Sequence, residues 1–127
     1  MANALYAPIR VAMADDHEFF REGFQVLIKK QADIEMVGEA ENGEEAIAKF
    51  LDLRPDVVTM DLVMPHVSGV EGLVGILKHD PKAKVIVISA LDQKQELKSA
   101  ISAGAFDFIV KPFDQERVNN AIRKATE

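Results

Sequence analysis

The chain has 127 residues, no cysteine and a formal net charge of −6 at pH 7. That length gives one domain with a core large enough to fold without covalent staples, and the lack of cysteine fits a reducing compartment. The acidic balance disfavours general binding to nucleic acid or anionic membrane, since both draw on a basic surface.

Residues 1–8 read as an N-terminal extension without the basic segment and long apolar core of a signal peptide, and no apolar run has membrane-spanning length. A cytoplasmic location is therefore expected. Ile9 to Ala14 is predicted as a strand, followed by Asp15-Asp16-His17-Glu18 as a helix-capping turn. Phe20, Phe24, Leu27 and Ile28 recur at helical spacing as a core stripe. Phe19 falls off that stripe: it reads first as flank packing, and second as an exposed aromatic beside the acids, open to a docking partner.

Ile34 to Ala40 is the second strand, and Asn42 caps a helix with Ala46, Ile47, Phe50 and Leu51 inward. Pro55 ends that helix by pushing Arg54 out of helical space. Val57 to Asp61 is a short β-branched run, predicted as a strand buried on both faces with a carboxylate at its carboxyl end. Ser68-Gly69-Val70-Glu71 opens a helix as a capping box, with Val70, Leu73, Val74 and Leu77 inward. Gly72 and Gly75 inside it cost about 1 kcal/mol each relative to alanine, which predicts the softest of the five helices.

Lys84 to Ile88 is the fourth strand, running into Ser89-Ala90-Leu91. Asp92 is predicted to cap a helix with Leu97, Ala100 and Ile101 inward, ended by Gly104. Phe106 to Val110 is the fifth strand, Lys111-Pro112-Phe113 a turn and Asp114 a cap, with Val118, Ala121, Ile122 and Ala125 as the last stripe. Five strand–helix alternations with crossovers of this length give an α/β fold: a doubly wound parallel sheet with helices on both faces. Ligands bind such sheets beyond the carboxyl ends of the strands. Asp15 and Asp16, Asp61, Ser89 and Lys111 all fall there.

Carboxylates brought together repel, and at neutral pH a proton or a cation must resolve the repulsion. Oxygen ligands without cysteine or a histidine pair point to a hard ion, Mg2+ foremost, which takes one or two carboxylates plus a phosphate oxygen. Lys111 then offers a mobile charge and Ser89 a hydroxyl donor for further anionic oxygens. This is the residue set of a phosphoryl-transfer site. No P-loop or Gly-rich dinucleotide fingerprint is present, which argues against a nucleotide as phosphate source. His17, His66 and His79 form no motif and receive no role.

Ala14-Asp15-Asp16, Met60-Asp61-Leu62-Val63-Met64-Pro65, Ser89-Ala90 and Val110-Lys111-Pro112-Phe113 together resemble the receiver domains of two-component response regulators, the family of the chemotaxis protein CheY. The resemblance runs from Ile9 to Ala125 and implies one receiver domain over residues 1–127, with a flavodoxin-like, five-stranded sheet of order 2-1-3-4-5 and five helices. It implies that Asp61 accepts a phosphoryl group from a phosphohistidine of a sensor histidine kinase. Asp16 and Asp61 would bind Mg2+ (or Mn2+) directly, Asp15 would act through water, and the backbone carbonyl of Val63 would complete the protein ligands. Ser89, Ala90 and Lys111 would hold phosphoryl oxygens, and the Lys111–Pro112 bond would be cis.

The implied switch pair is Ser89 and Phe108, the aromatic turning into space that Ser89 vacates; the alternative makes Phe108 an inward strand residue. The implied output surface is the face of the fourth helix, fifth strand and fifth helix, with Lys94, Lys98, Arg117 and Arg123 as contacts for an effector such as the flagellar switch. The chain would catalyse only its own phosphorylation and dephosphorylation, bind no nucleic acid or membrane, and be a monomer or a phosphorylation-dependent dimer.

Three features depart from the pattern or divide it. Phe108 lacks the hydroxyl that a tyrosine would offer a flagellar partner. Val63 and Leu91 are apolar where polar residues can place an attacking water, which predicts slow self-dephosphorylation. Residues 16–23 resemble receivers joined to helix-turn-helix domains, whereas residues 59–65 and 108–113 resemble single-domain chemotaxis regulators. With no residues after Glu127, a single-domain, CheY-type chemotaxis regulator is expected. The alternatives are a receiver cut from a DNA-binding transcriptional regulator or a phosphorelay intermediate. Further afield stand a phosphatase with Asp61 as nucleophile, disfavoured by Val63 where an acid is wanted, a flavodoxin-like mononucleotide carrier and a receiver-shaped interaction module.

Overall fold

The β-branched runs form the centre of a parallel sheet, and the amphipathic segments between them cover its two faces. The computed structural model describes residues 7–127, so most of the expected extension over residues 1–8 lies outside the described residues. Among the described residues, five strands and five helices alternate. In chain order they are β1 (Ile9–Ala14), α1 (Glu18–Lys29), β2 (Ile34–Ala40), α2 (Gly43–Leu53), β3 (Val57–Asp61), α3 (Gly69–His79), β4 (Val85–Ala90), α4 (Lys94–Ala103), β5 (Asp107–Lys111) and α5 (Gln115–Ala125). The sheet order is β2-β1-β3-β4-β5, with every pair parallel, as the resemblance implies.

Two apolar clusters lie on opposite faces of the sheet. Val11, Val57, Ile86 and Ile88 meet Phe24 and Ile28 of α1 and Val118, Ala121 and Ile122 of α5. Val58, Met60, Val85 and Val87 meet Ala46 and Phe50 of α2, Leu73 and Ile76 of α3 and Ala100 of α4. Each large side chain so buried contributes about 1.5–3 kcal/mol, and the alternation along β3 and β4 explains why those strands are apolar throughout.

Asn42, Ser68 and Asp114 cap α2, α3 and α5 as expected, the Ser68–Glu71 capping box with both of its hydrogen bonds. Arg54 leaves α2 through the left-handed region, φ 48° and ψ 57°, because the following proline disfavours another helical residue. The cap expected at Asp92 is not formed: Gln93 is the N-cap of α4, and its Oε1 accepts from the Ala90 N–H instead. Nor do Asp15 or Asp16 cap α1, whose N-cap His17 makes no side-chain capping bond.

The inward stripes also shift. Leu51, Val74 and Ile101 are exposed, whereas Ile76 is fully buried, because α3 presents the line Gly69, Gly72, Leu73, Ile76 to the sheet. The α3 glycines have a packing role that helix propensity leaves out. A Cβ on Gly72 would stand 3.0 Å from Gly43 Cα, and one on Gly75 would run into Ile47, so bare backbone lets α2 and α3 approach.

Candidate functional site

Register carries the polar residues to one edge. Ala14 lies opposite Met60, Asp61 opposite Ile88, and Ala90 opposite Lys111, so the carboxyl ends of β1, β3, β4 and β5 finish within three residues of one another. Asp15 is the next residue after β1 and Asp61 the last of β3. They are 1 % and 5 % exposed, burial that demands compensating charge.

One atom each from Asp15, Asp16, His17 and Asp61 falls within 4.8 Å of all the others. The two Asp15 oxygens face different partners. Oδ1 accepts from the His17 backbone N–H at 2.8 Å and lies 3.1 Å from His17 Nδ1, while Oδ2 lies 3.7 Å from Lys111 Nζ. The same ammonium is 3.8 Å from Asp61 Oδ2, and Asp61 Oδ1 accepts from the Val63 N–H at 3.3 Å. Burial raises the Asp61 carboxyl to about 6, against the downward pull of Lys111; Asp15 pushes it up, the Val63 bond down, and Asp16 up.

The donor set fits a divalent cation. Asp15 Oδ2 and Asp16 Oδ1 are hidden from solvent without a hydrogen-bond partner, and a hard ion is the group that would satisfy them. Ser89, 1 % exposed, likewise keeps an unpartnered Oγ. Lys111–Pro112 is a cis bond, as expected. The Ala90 N–H, expected to meet a phosphoryl oxygen, is engaged by Gln93.

Phe108 is 40 % exposed, so the inward alternative for it does not hold. Its carbonyl accepts from Arg117 at 2.7 Å, and Arg117 also pairs with Asp107. Lys94 and Lys98 are exposed on α4. Arg123 does not join that surface: it pairs with Asp33 at 2.7 Å, in the loop before β2, the opposite sheet edge from β5. Six residues separate it from Arg117, which turns it about 120° around the helix. Phe19 is 87 % exposed rather than packed on a flank. With Phe20, Phe24, Leu27 and Phe113 it lines a groove of about 470 Å³ beside His17.

Sequence reasoning missed two residues. His17 adjoins the acids in the chain, but nothing in the motif says that its ring turns back onto them. Arg21 is buried on α1, where it donates to the Asp15 carbonyl at 2.6 Å and to Glu39 at 2.9 Å, tying the acidic turn to α1 and β2. A cation placed between Phe20 and Phe24 on an apolar stripe was the available signal.

A parallel five-stranded sheet with buried acids and one lysine at the strand ends is the arrangement of a doubly wound domain suited to phosphoryl chemistry. Residues 11–123 match the response regulator receiver domain, and the chain belongs to that family, CheY-like proteins of two-component signalling. It is 47 % identical over 118 residues to the chemotaxis protein CheY of Thermotoga maritima, covering 93 % of this chain and 98 % of that one. It is 38 % identical to the response regulator protein VraR of Staphylococcus aureus, covering 93 % of this chain and 56 % of VraR. A chain of the CheX–CheY–BeF3–Mg2+ complex from Borrelia burgdorferi superposes with a TM-score of 0.85 at 32 % identity, covering 94 % of this chain and 90 % of that one. Among the described residues no helix is long and apolar enough to cross a membrane.

Proposed function

We infer that Asp61 is the phosphoacceptor of a CheY-type response regulator that passes a signal from a sensor histidine kinase to an output protein. The observation that carries this reading is the buried Asp61 carboxylate, facing Lys111 at 3.8 Å and grouped with Asp15 and Asp16 at the strand ends. An Asp61 oxygen attacks phosphorus as the P–N bond of the phosphohistidine breaks, and the departing imidazole nitrogen takes up a proton. Hydrolysis reverses the charge flow: water attacks phosphorus, the Asp61–phosphorus bond breaks, and its electron pair returns to the carboxylate.

Asp15, Asp16, Asp61 and the Val63 carbonyl would hold Mg2+, or Mn2+. Bound there, the ion would supply positive charge to offset that of the phosphoryl group. Lys111 holds a second phosphoryl oxygen, and Ser89 Oγ and the Ala90 N–H the third. The phosphoryl group adds about 1.5–2 negative charges; Ser89 moves toward it and Phe108 follows, altering the α4–β5–α5 face that carries Lys94, Lys98 and Arg117. The exposed Phe19 and its groove offer the phosphodonor an apolar footing beside the acids.

The higher identity to CheY than to VraR supports a chemotaxis effector over a receiver of the VraR kind. Acetyl phosphate with and without Mg2+, followed by intact mass, tests the acceptor. A Mg2+-dependent phosphoryl adduct absent from Asp61→Ala is expected; an adduct retained by that variant overturns the assignment.

A further inference from the structure

We propose that His17 Nδ1 is a ligand of the divalent ion held by the acidic pocket, giving this receiver a preference for imidazole-binding ions such as Mn2+, Co2+ or Ni2+ over Mg2+. The proposal rests on the reading of the pocket as a cation site, and adds a nitrogen to what would otherwise be oxygen ligands.

The geometry is that of neighbouring ligands. His17 Nδ1 lies 3.1 Å from Asp15 Oδ1 and 3.2 Å from Asp16 Oδ1. In octahedral coordination with ligands about 2.1 Å from the ion, adjacent ligands stand about 3.0 Å apart. The separation from Asp16 Oδ1 matches such an edge, while the contact with Asp15 Oδ1 is a hydrogen bond that keeps the ring beside it. The contact to Asp16 is not a hydrogen bond: Asp16 Oδ1 has no hydrogen-bond partner although it is hidden from solvent. Asp15, 1 % exposed, also keeps Oδ2 unpartnered, on the side facing Lys111. The lysine and the imidazole thus occupy different sides of the Asp15 carboxylate, and both can stay when an ion enters.

Ligand chemistry supplies the selectivity. Carboxylate and water suit Mg2+ and Mn2+ alike, whereas imidazole favours the later divalent ions in the order Mn2+, Co2+, Ni2+. The backbone bond from His17 N–H to Asp15 Oδ1, 2.8 Å, fixes the start of α1 and holds the ring over the acids.

The test uses the unphosphorylated protein with Mn2+ and Mg2+ alone. Calorimetry of the wild type, His17→Ala and His17→Gln measures both affinities, and electron spin-echo modulation of the Mn2+ complex reports any directly bound nitrogen. A nitrogen signal in the wild type and its loss in both variants are expected. With them, the Mn2+-to-Mg2+ affinity ratio should fall about tenfold while Mg2+ affinity changes little. Binding that is abolished by Asp16→Asn but shows no nitrogen signal and no His17 dependence overturns the proposal and leaves the acidic site intact. Failure of the wild type to bind either ion overturns both.

Discussion

The ring of Phe20 faces the ammonium group of Lys111, with Nζ 4.5 Å from the ring centroid. The same ring stacks on Phe24 and meets Phe113 edge-on, each at 6.1 Å, so its orientation is fixed from two sides. Phe20 therefore positions the lysine that faces Asp15 and Asp61. Phe20→Leu keeps most of the apolar volume but removes the ring, a contact worth about 0.5–1 kcal/mol at a partly exposed site. Phosphoryl-adduct formation from acetyl phosphate should slow by about two- to fivefold, by the usual conversion of barrier to rate.

Asp61 makes the folded protein pay for its own chemistry. Its carboxyl, 3.8 ordinarily, stands at about 6 in the fold, chiefly through burial. Between about pH 4 and 6 the folded state therefore binds more protons than the unfolded chain, and stability falls as pH rises through that window; above it the loss is complete. That rise corresponds to about 3 kcal/mol. With the attraction of Lys111 already counted in that rise, Asp61→Asn is expected to gain about 1–3 kcal/mol at pH 7.5 in metal-free urea unfolding, shrinking toward nothing below pH 4. A variant less stable than wild type at pH 7.5 would contradict this account.

The bond between the Ala90 N–H and Gln93 Oε1, 2.8 Å, occupies a donor assigned to a phosphoryl oxygen. Gln93→Ala should release it, at the cost of a hydrogen bond worth about 1 kcal/mol. Affinity for beryllofluoride, a phosphoryl mimic, should rise by about threefold to tenfold, readable by calorimetry in the presence of Mg2+. Unchanged affinity would mean that Ala90 does not serve the phosphoryl group.

Val63 and Leu91 are both exposed, Leu91 at 71 %, and neither can orient a water by hydrogen bonding. The phosphorylated form should be long-lived, and Val63→Asn with Leu91→Glu should speed its loss about tenfold, equivalent to about 1.4 kcal/mol of barrier. Decay of the adduct by intact mass decides the matter; equal lifetimes would remove these positions from the hydrolysis step.

Glycines on α2 and α3 should differ sharply in tolerance. A Cβ on Gly43 would stand 2.5 Å from the Ser68 carbonyl oxygen and 2.8 Å from that of Val67, backbone atoms with no room to yield. Gly43→Ala should cost about 1–3 kcal/mol, as overpacking does. At Gly75 the obstacle is the outer part of the Ile47 side chain, and alanine's helix propensity returns about 1 kcal/mol, so Gly75→Ala should be near neutral. Urea midpoints of the two variants give the comparison.

The strands were legible because β3 and β4 are nearly continuous apolar runs and β1, β2 and β5 are short apolar-rich segments between turn signals, and the caps at Asn42, Ser68 and Asp114 because a side chain three residues ahead of its N–H is a local pattern. The Asp92 cap failed because competition for a donor is decided in space: Gln93 reaches back to Ala90. Val74 and Ile76 differ little in hydrophobicity, and only the close approach of α3 at Gly69 and Gly72 decides which faces the sheet. The acids and Lys111 were readable as residues at strand ends. The reach of His17 and the hold of Arg21 on the Asp15 carbonyl depend on how α1 leaves β1, a geometry with no counterpart in residue spacing.

On α4 a single residue, Ala100, is buried, while α1, α2, α3 and α5 each bury several. A methyl group anchors far less than an isoleucine or phenylalanine. By burial, α4 and not the glycine-bearing α3 is the helix held least to the sheet, contrary to the expectation from Gly72 and Gly75; a differential of about 1.4 kcal/mol shifts a two-state ratio about tenfold. The weakest seam of the domain runs beneath the helix that begins four residues after Ala90, so α4 is the element that a charge added at Asp61 should displace first.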